Sequence, residues 1–293
     1  MNSTYKNYFT LLFLAIIWGS SFILMKRGLD VFDYKQVGSL RIFIAFLSLL
    51  PFLPKAFKLV QKKHYLPIVI MAILGNGIPA FLFTKAQTEL SSSVVGILNA
   101  LVPLFTLLLG IIFFKSRPSK TNFAGVLIAL VGATLLTFST MQEDLEINNY
   151  VFLVILATVF YAISINVIKK YLYDLNATSI TSLAFIIIGP LSAVYLFSTD
   201  FIEITTTNEN AYIALGYITL LSVIGTSVAV IIFNKLISNS SAIFASSVTY
   251  FIPIVAILWG VFDGEQINKY HIIGVSIILS GVYLVNKRKS IPR

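Results

Sequence analysis

Long apolar stretches separated by short polar connections are the main pattern of this chain. Ten stretches approach the length of about 20 residues that a helix needs to cross a bilayer. They lie at 8–25, 36–53, 66–84, 93–114, 122–138, 150–168, 178–198, 211–232, 242–262 and 271–286. A membrane β-strand would be about ten residues long with alternating apolar and polar positions, and these stretches are apolar throughout. The pattern therefore predicts an all-α integral membrane protein with ten transmembrane helices.

The connections between the stretches are short, and 54–65, 139–149 and 199–210 are the ones that exceed ten residues, none of them by more than two. The first stretch follows Lys6, as the apolar part of a signal peptide would. Its apolar character continues from Trp18 to Met25, and no cleavage site of small residues precedes Lys26. We therefore expect an uncleaved first helix and no large extramembrane domain.

Charged residues are distributed unequally between alternate connections. With a cytoplasmic N-terminus, the inner connections and termini hold fifteen basic residues and one acid, Asp174, whereas the outer connections hold five basic residues and eleven acids. The charged residues of 139–149 and 199–210, both on the outer side, are all acidic. Because Lys and Arg accumulate on the cytoplasmic side of membrane proteins, we expect both termini in the cytoplasm and the chain in the inner (plasma) membrane.

Composition changes the meaning of the net charge. The 293 residues are 57% hydrophobic and 11% charged, whereas about 25% charged residues are usual in soluble proteins. A net charge of +9 would suggest nucleic-acid binding in a soluble protein, but here the basic excess is an orientation signal. The expected surroundings are therefore a lipid bilayer, with no nucleic acid as partner. A cysteine count of 0 excludes disulfides, zinc-finger sites and a cysteine nucleophile.

The two halves of the chain match weakly at constant offsets. Residues near 75–85 pair with residues 150 positions further on (225 − 75), and residues of the first stretch pair with residues 143 positions further on (161 − 18). The matched pairs are Gly75/Gly225, Asn76/Thr226, Phe83/Phe233, Thr84/Asn234, Pro103/Pro253, Trp18/Tyr161, Ser21/Ser164 and Lys26/Lys169. This pattern predicts two repeats, 8–138 and 150–286, joined by an extracytoplasmic linker at 139–149.

Each predicted repeat contains five helices, which is an odd number. The second repeat therefore enters the membrane from the opposite side, and the two repeats are inverted about an axis in the membrane plane. Inverted repeats are typical of secondary transporters, whose substrate site lies near the midplane between the halves. The arrangement predicts a transporter that works by alternating access.

Several sequence segments resemble the EamA family of the drug/metabolite transporter superfamily. They are the WGSSF of the first stretch with Lys26 after it, Arg41 early in the second, SSSVVGILNALVPLFTLLLGIIFF from 91, SSAIFASSVTYFIPIVAILWGVFDGE from 240, and the glycine-rich FAGVLIALVGATLL and IIGVSIILSGVYL. The resemblance covers about residues 10–288. It implies ten helices, cytoplasmic termini, and export or exchange of small metabolites, often amino acids. The family usually has a Glu after each of the two long segments; Glu265 fits, whereas Lys115-Ser116 departs from that pattern.

Polar side chains in the middle of a span are costly in lipid and should face the interior of the bundle. The candidates for lining a substrate cavity are Trp18, Ser21, Arg41, Asn76, Asn99, Tyr161, Ser164, Asn166, Thr226 and Tyr250. Asparagine is the most informative of these, because its amide offers two donors and an acceptor. The alternative for each residue is hydrogen bonding between helices, which contributes about 0.6 kcal/mol on average.

Arg41 is the one charge placed firmly within a predicted span. Its guanidinium has five donors and no acceptor, and could hold a substrate carboxylate. The alternatives are extension of the side chain toward the outer interface and pairing with an acid of the connection at 30–33.

Prolines and glycines suggest where the helices bend and pack. Proline inside a helix removes a hydrogen bond and bends the axis, so Pro79, Pro103 and Pro253 are candidate kinks, the last two as a symmetric pair beside the cavity. Rows of small residues, Gly125-Ala129-Ala133 and Gly274 with Gly281, predict close packing of helices. In the resembled family these helices lie at the periphery, which suggests a scaffold or dimer contact, so the protein is expected as a monomer or homodimer.

The absence of other motifs narrows the mechanism. The chain has no G-x-x-x-x-G-K-[ST] sequence for ATP, no zinc-protease motif, and no acid deep in a span that could relay protons. We expect no enzyme activity, cofactor or metal, and facilitated efflux or exchange of a small, amino-acid-like molecule. Sugars, nucleosides and drugs remain alternative substrates. A membrane-embedded enzyme and a receptor-like or chaperone-like subunit remain alternative classes.

Overall fold

The structure, a computed structural model, describes residues 3–90, 92–138, 149–255 and 269–286. These residues form helices joined by short connections, and no strand occurs in these ranges. The helices are α1 (Ser3–Leu29), α2 (Tyr34–Leu59), α3 (Lys62–Ala86), α4 (Ser92–Asn99), α5 (Val102–Phe114), α6 (Lys120–Phe138), α7 (Tyr150–Tyr171), α8 (Ala177–Phe197), α9 (Phe201–Thr207), α10 (Ala211–Asn239), α11 (Ala242–Val255) and α12 (Lys269–Asn286). The all-helical fold class is confirmed.

Within the described ranges, 6 helices are long and apolar enough to cross a membrane: α1, α2, α3, α7, α8 and α10. Shorter apolar helices lie within the other predicted spans, of which residues 256–262 are outside the described ranges. The predicted stretch 93–114 differs, because it is divided into α4 and α5 by a turn at Ala100 and Leu101. The connection 199–210 also differs, because it contains the short helix α9. Most of the predicted linker 139–149, and Glu265, lie outside the described residues.

Pro103 and Pro253 lie beside interruptions of helices rather than within regular helix. Pro103 is in the first turn of α5, after the break that follows Asn99. Pro253 likewise follows a 3-10 turn at Ser247–Tyr250 within α11. The first turn of a helix leaves its N–H groups without partners, so proline there removes no helical hydrogen bond. The helices are thus interrupted just before Pro103 and Pro253, the two residues at which the sequence predicts bends.

Helices α3 and α10 each contain a π-helical segment at positions that the sequence repeat pairs. The segments are Ile73–Gly77 and Leu221–Val228, and Pro79 lies in the first turn after the former. In each segment a polar side chain donates to the carbonyl five residues earlier: Asn76 to Met71 at 3.2 Å and Thr226 to Leu221 at 3.2 Å. Single-turn π segments inside α-helices are frequent at functional sites.

Helices α6 and α12 lie against each other through glycine. A Cβ atom added to Gly281 would lie 2.6 Å from the carbonyl oxygen of Gly125, and one added to Gly132 would lie 2.7 Å from the amide nitrogen of Ile278. Such distances leave space for a hydrogen atom only. The small-residue rows predicted as packing faces therefore meet each other within one chain, which leaves them covered.

A polar cluster joins the start of α3 to the connection between α7 and α8. His64 is 1% exposed and its Nδ1 accepts a hydrogen bond from the backbone amide of Gln61 at 3.1 Å, so Nε2 carries the proton that it donates to Asp174 at 3.0 Å. Lys63 donates to the other oxygen of the same carboxylate. The hydrogen bond from Lys63 holds the pKa of Asp174 below its usual range.

We expect this cluster to add stability that disappears in acid. A lowered pKa in the folded state means that the ionised carboxylate stabilises the fold above its ordinary pKa of about 3.9, and the contribution is lost as the pH falls through the lowered value. Asp174→Asn should therefore lower the thermal midpoint at pH 7, and the difference from the wild type should shrink below about pH 4. An equal difference at pH 7 and pH 3 in detergent-solubilised protein would contradict this account.

Candidate functional site

The described helices line a cavity whose empty volume, including the part open to solvent, is about 1030 Å³. Its wall comes from α1, α2, α3, α4, α5, α7, α8, α10 and α11, so helices from both halves of the chain contribute. Most of the wall is apolar. The polar side chains on it are Trp18, Ser21, Arg41, Asn76, Asn99, Tyr161, Ser164, Thr226, Asn234, Ser246 and Thr249. A large apolar cavity with a few convergent polar groups is the usual form of a small-molecule site.

Eight of the residues predicted from the sequence lie together on this wall: Trp18, Ser21, Arg41, Asn76, Asn99, Tyr161, Ser164 and Thr226. The close approach of the helices that carry them depends on two paired glycines. A Cβ atom at Gly225 would lie 2.9 Å from the Ser21 hydroxyl, and a Cβ atom at Gly75 would collide with the Ser164 hydroxyl. The contact of α1 with α10 thus has its counterpart in the contact of α7 with α3.

Two aromatic pairs on the cavity wall are also equivalent under the sequence offsets that relate the two halves of the chain. The Trp18 ring meets the edge of Phe233 at a centroid distance of 5.0 Å, and the Tyr161 ring stacks on Phe83 at 5.6 Å. The sequence offsets pair Trp18 with Tyr161 and Phe83 with Phe233. The Trp18 indole also donates to the Gly225 carbonyl at 2.9 Å, which fixes the ring that the sequence predicted as a cavity wall.

Arg41 reaches into the cavity rather than to the outer interface. Its Nε donates to the Thr226 hydroxyl at 2.8 Å, across 185 residues of sequence. The predicted alternative of a partner in the connection 30–33 is not found, because Asp30 pairs with Arg27 at 3.5 Å and Asp33 caps the start of α2. In the described part of the chain no carboxylate pairs with Arg41, and its other nitrogens make no hydrogen bond.

Two asparagines present acceptors that no donor satisfies. Asn99 is 6% exposed and Asn234 is 1% exposed, and both line the cavity. Neither Oδ1 atom has a hydrogen-bond partner among the described residues, although the amide nitrogen of Asn234 donates to Thr181 at 2.9 Å. Buried polar atoms are hydrogen-bonded in the great majority of cases, so these two atoms require an explanation.

Asn166 and Tyr250, both predicted on the cavity wall, lie behind it. The Asn166 amide donates to the carbonyls of Thr106 at 3.0 Å and Ala162 at 2.9 Å. The Tyr250 hydroxyl donates to the Val126 carbonyl at 2.9 Å. For these two residues the alternative of hydrogen bonds between helices is what the structure contains, because each donates to a backbone carbonyl on a neighbouring helix.

Of the polar residues on the wall, sequence reasoning missed Asn234 and Ser246, and it selected Tyr250 rather than its neighbour Thr249, which the wall includes. The predicted span ended at 232, whereas α10 continues to Asn239, so Asn234 was assigned to a connection. The pairing of Thr84 with Asn234 was a usable signal, since Phe83 and Lys85 beside Thr84 also have matches in the second half. Ser246 carries no distinguishing signal in the sequence.

The described cavity wall contains Arg41 and no other charged side chain. Among the described residues, no group of three or more His, Cys, Asp or Glu residues could hold a metal ion. The arrangement suits binding of a neutral or anionic organic molecule by hydrogen bonds, with aromatic rings on two sides.

Known proteins similar to this chain are transporters. An uncharacterized inner membrane transporter, YedA of Escherichia coli K12, is 26% identical over 94% of this chain and 89% of its own. An uncharacterized transporter of Archaeoglobus fulgidus is 24% identical over 97% of this chain and 100% of its own. A Salmonella typhimurium protein with the name "Probable amino-acid metabolite efflux pump" is 24% identical over 95% and 94%.

The fold is also found among solved structures. One crystal structure superposes with a TM-score of 0.70 over 94% of both chains at 14% sequence identity, which shows a shared fold. Two segments of the present chain, 6–138 and 148–287, match the EamA-like transporter family. Together they include nearly all residues, as the resemblance of the sequence segments predicted. This multi-pass membrane protein belongs to the EamA-like transporter family.

Proposed function

We propose that this transporter exports or exchanges a small, amino-acid-like metabolite across the inner (plasma) membrane by alternating access. The observation that carries the proposal is the largely apolar cavity lined by polar side chains from both halves of the chain. The Salmonella typhimurium relative, named for amino-acid metabolites, supports the substrate class, and the Escherichia coli relative, named as an inner membrane transporter, supports the location. Sugars, nucleosides and drugs are the alternative substrates.

The proposed architecture is ten spans in two inverted five-helix repeats, with both termini in the cytoplasm. Three observations support it. The family matches the chain twice, at 6–138 and 148–287. The π segments of α3 and α10 lie at paired positions. The aromatic pairs Trp18–Phe233 and Tyr161–Phe83 consist of residues that the sequence offsets match to each other, as two equivalent repeats require.

The contact of Lys169 with the end of α10 has no equivalent in the other half of the chain, and this difference supports alternating access. Lys169, at the end of α7, donates to the carbonyls of Ile237 at 3.0 Å and Ser238 at 3.1 Å in the last turn of α10. A cation stabilises the C-terminal end of a helix. Its repeat partner Lys26 is exposed and makes no side-chain hydrogen bond within the described residues, although Gln87 and Thr88 occupy the positions matched to Ile237 and Ser238.

The asymmetry fits a transporter with one side closed. In a transporter with inverted repeats, a contact that one half makes in one access state is made by the equivalent residues of the other half in the opposite state. Lys169 closes the side at which α7 ends, which the charge distribution assigns to the cytoplasm, and the opposite state has Lys26 in the equivalent contact. Because the described cavity wall contains no acid, we favour facilitated efflux or exchange over proton coupling.

An efflux measurement tests the proposal. Proteoliposomes are loaded with a mixture of the protein amino acids, and the released molecules are identified by mass spectrometry with and without a pH gradient. We expect release of a subset, slowed at least tenfold by Asn99→Ala, while the exposed Thr206→Ala behaves as the wild type. Release no faster than from protein-free liposomes loaded with the same mixture would overturn the proposed function. Release that stops without a pH gradient would overturn the proposal that transport is not coupled to protons.

A further inference from the structure

The cation of Arg41 is unneutralised in the described part of the cavity. A guanidinium stays charged at all physiological pH values and has five N–H donors. Arg41 uses one of them, at Nε, on Thr226. The two terminal nitrogens therefore present four N–H groups without a protein partner in the described residues. The other ionisable side chain on the described cavity wall is that of Tyr161, on α7.

Arg41 is half-buried on the cavity wall, so a ligand that fills the cavity removes this charge from water, which is costly unless the charge is paired. A guanidinium binds a carboxylate through two parallel hydrogen bonds, which are stronger than bonds between neutral groups. The missing partner of Arg41 is therefore an anionic group that arrives with the substrate. A cationic drug would instead meet a like charge without compensation.

The unsatisfied oxygens of Asn99 and Asn234 require the complementary chemistry. Each is an acceptor, so a ligand satisfies it with an N–H or O–H donor. Both side chains are more than nine-tenths buried and belong to the same cavity wall as Arg41. A substrate with one carboxylate and at least one donor group matches both sets of protein atoms.

The remaining wall is apolar around these polar groups, with Phe22, Ile165, Phe185, Val230 and Ile252 among its residues. This surface offers burial to a hydrocarbon or aromatic side chain without a directional requirement. The site therefore recognises the two ends of a zwitterion by hydrogen bonds and its side chain by burial alone, which predicts selectivity for the charged groups and tolerance of the side chain.

We propose that Arg41 binds the carboxylate of a zwitterionic metabolite, and that the amide oxygens of Asn99 and Asn234 accept hydrogen bonds from its ammonium group. Arg41 is then the residue that makes the cavity select carboxylates and reject simple amines. The inference rests on the proposed function, since it assigns the substrate chemistry of the same cavity.

The test compares three mixtures on the purified protein by thermal stabilisation. The first contains the protein amino acids, the second the amines left when their carboxylates are removed, and the third the acids left when their amino groups are removed. We expect the amino acids to raise the unfolding temperature, the amines to have no effect, and the acids to have an intermediate effect at equal concentration. Asn99→Ala should weaken the effect of the amino acids and leave that of the acids unchanged.

Variants of the arginine complete the test. Arg41→Gln should reduce the apparent affinity for the amino-acid mixture at least tenfold, while Arg41→Lys, which keeps the charge, retains part of it and serves where the glutamine variant does not fold. The matched control is Arg27→Gln, because Arg27 is exposed and paired with Asp30. Stabilisation by amines equal to that by amino acids, an unchanged affinity in both Arg41 variants, or no stabilisation of the wild type by any mixture would each overturn the inference.

The efflux assay separates failure of this inference from failure of the proposed function. Efflux from wild-type proteoliposomes that Arg41→Gln leaves unchanged would remove Arg41 from the site and leave transport standing. An absence of efflux for every mixture would remove the function itself.

Discussion

Gly281→Leu should lower the thermal midpoint of the detergent-solubilised protein more than any other single substitution considered for this chain. A Cβ atom at Gly281 would lie 2.5 Å from the amide nitrogen of Ala129 and 2.6 Å from the carbonyl oxygen of Gly125. These are backbone atoms, which cannot move aside as the end of a flexible side chain can. A leucine therefore forces α12 away from α6, and overpacking of this kind costs about 3 kcal/mol.

Gly216→Leu is the matched control. Gly216 lies within α10, and a Cβ atom there would have no neighbour within 4 Å. Leucine also has a higher helix propensity than glycine, by nearly 1 kcal/mol. We expect its thermal midpoint to equal or exceed that of the wild type. Equal losses in the two variants would mean that the close approach of α6 and α12 is not what glycine provides at position 281.

Lys169→Met should shift the protein from the state described here toward the opposite one. The substitution removes two hydrogen bonds from a cation to carbonyls of α10. Hydrogen bonds to charged groups contribute about 1.5 kcal/mol or more, and about 1.4 kcal/mol changes an equilibrium tenfold. We therefore expect at least a tenfold change in the ratio of the two access states.

The cysteine count of 0 makes this shift measurable by labelling. Met25 and Ile168 both line the cavity, on α1 and α7. A single cysteine at position 25, labelled with a membrane-impermeant maleimide from outside the cell, should react more slowly in the Lys169→Met background. A single cysteine at 168, labelled in inverted vesicles, should react faster.

Lys26→Met provides the opposite arm of the experiment. Lys26 makes no side-chain hydrogen bond or ion pair within the described residues, so its substitution leaves this state intact and weakens the other one. Labelling at position 25 from outside should equal or exceed that of the unmodified background. Slower labelling in both lysine variants would contradict the exchange of contacts between the two halves.

The sequence was sufficient for features that depend on period and composition. The apolar stretches predicted the helices because lipid tolerates few polar groups. The offsets of 143 and 150 matched Trp18 to Tyr161 and Phe83 to Phe233, and these four residues form the two equivalent ring contacts. The small residues predicted close packing of helices, because only a missing side chain lets backbones approach so closely, but they did not show that α6 and α12 pack against each other.

The sequence was insufficient where the outcome depends on a partner far along the chain. Arg41 was assigned a partner in the adjacent connection as one alternative, but Thr226 holds it from 185 residues away. Asn166 and Tyr250 are polar residues at mid-span, as the cavity residues are. Nothing in the sequence around them shows that they donate hydrogen bonds to the backbone carbonyls of Thr106 and Val126. Asn234 was missed because a helix end is a poor signal in an apolar chain.

The π segment of α3 has a consequence for the rotational phase of that helix. Met71 and Phe83 both face the cavity, yet they are 12 residues apart (83 − 71). At about 100° per residue a regular α-helix would leave Phe83 about 120° out of phase with Met71. The π segment Ile73–Gly77 contains one residue more than the α-helical turn that it replaces, which reduces this angle by about 100°. One face of α3 therefore lines the cavity along the length of the helix. Deleting one residue from the segment would turn Phe83, and its stacking on Tyr161, toward the lipid.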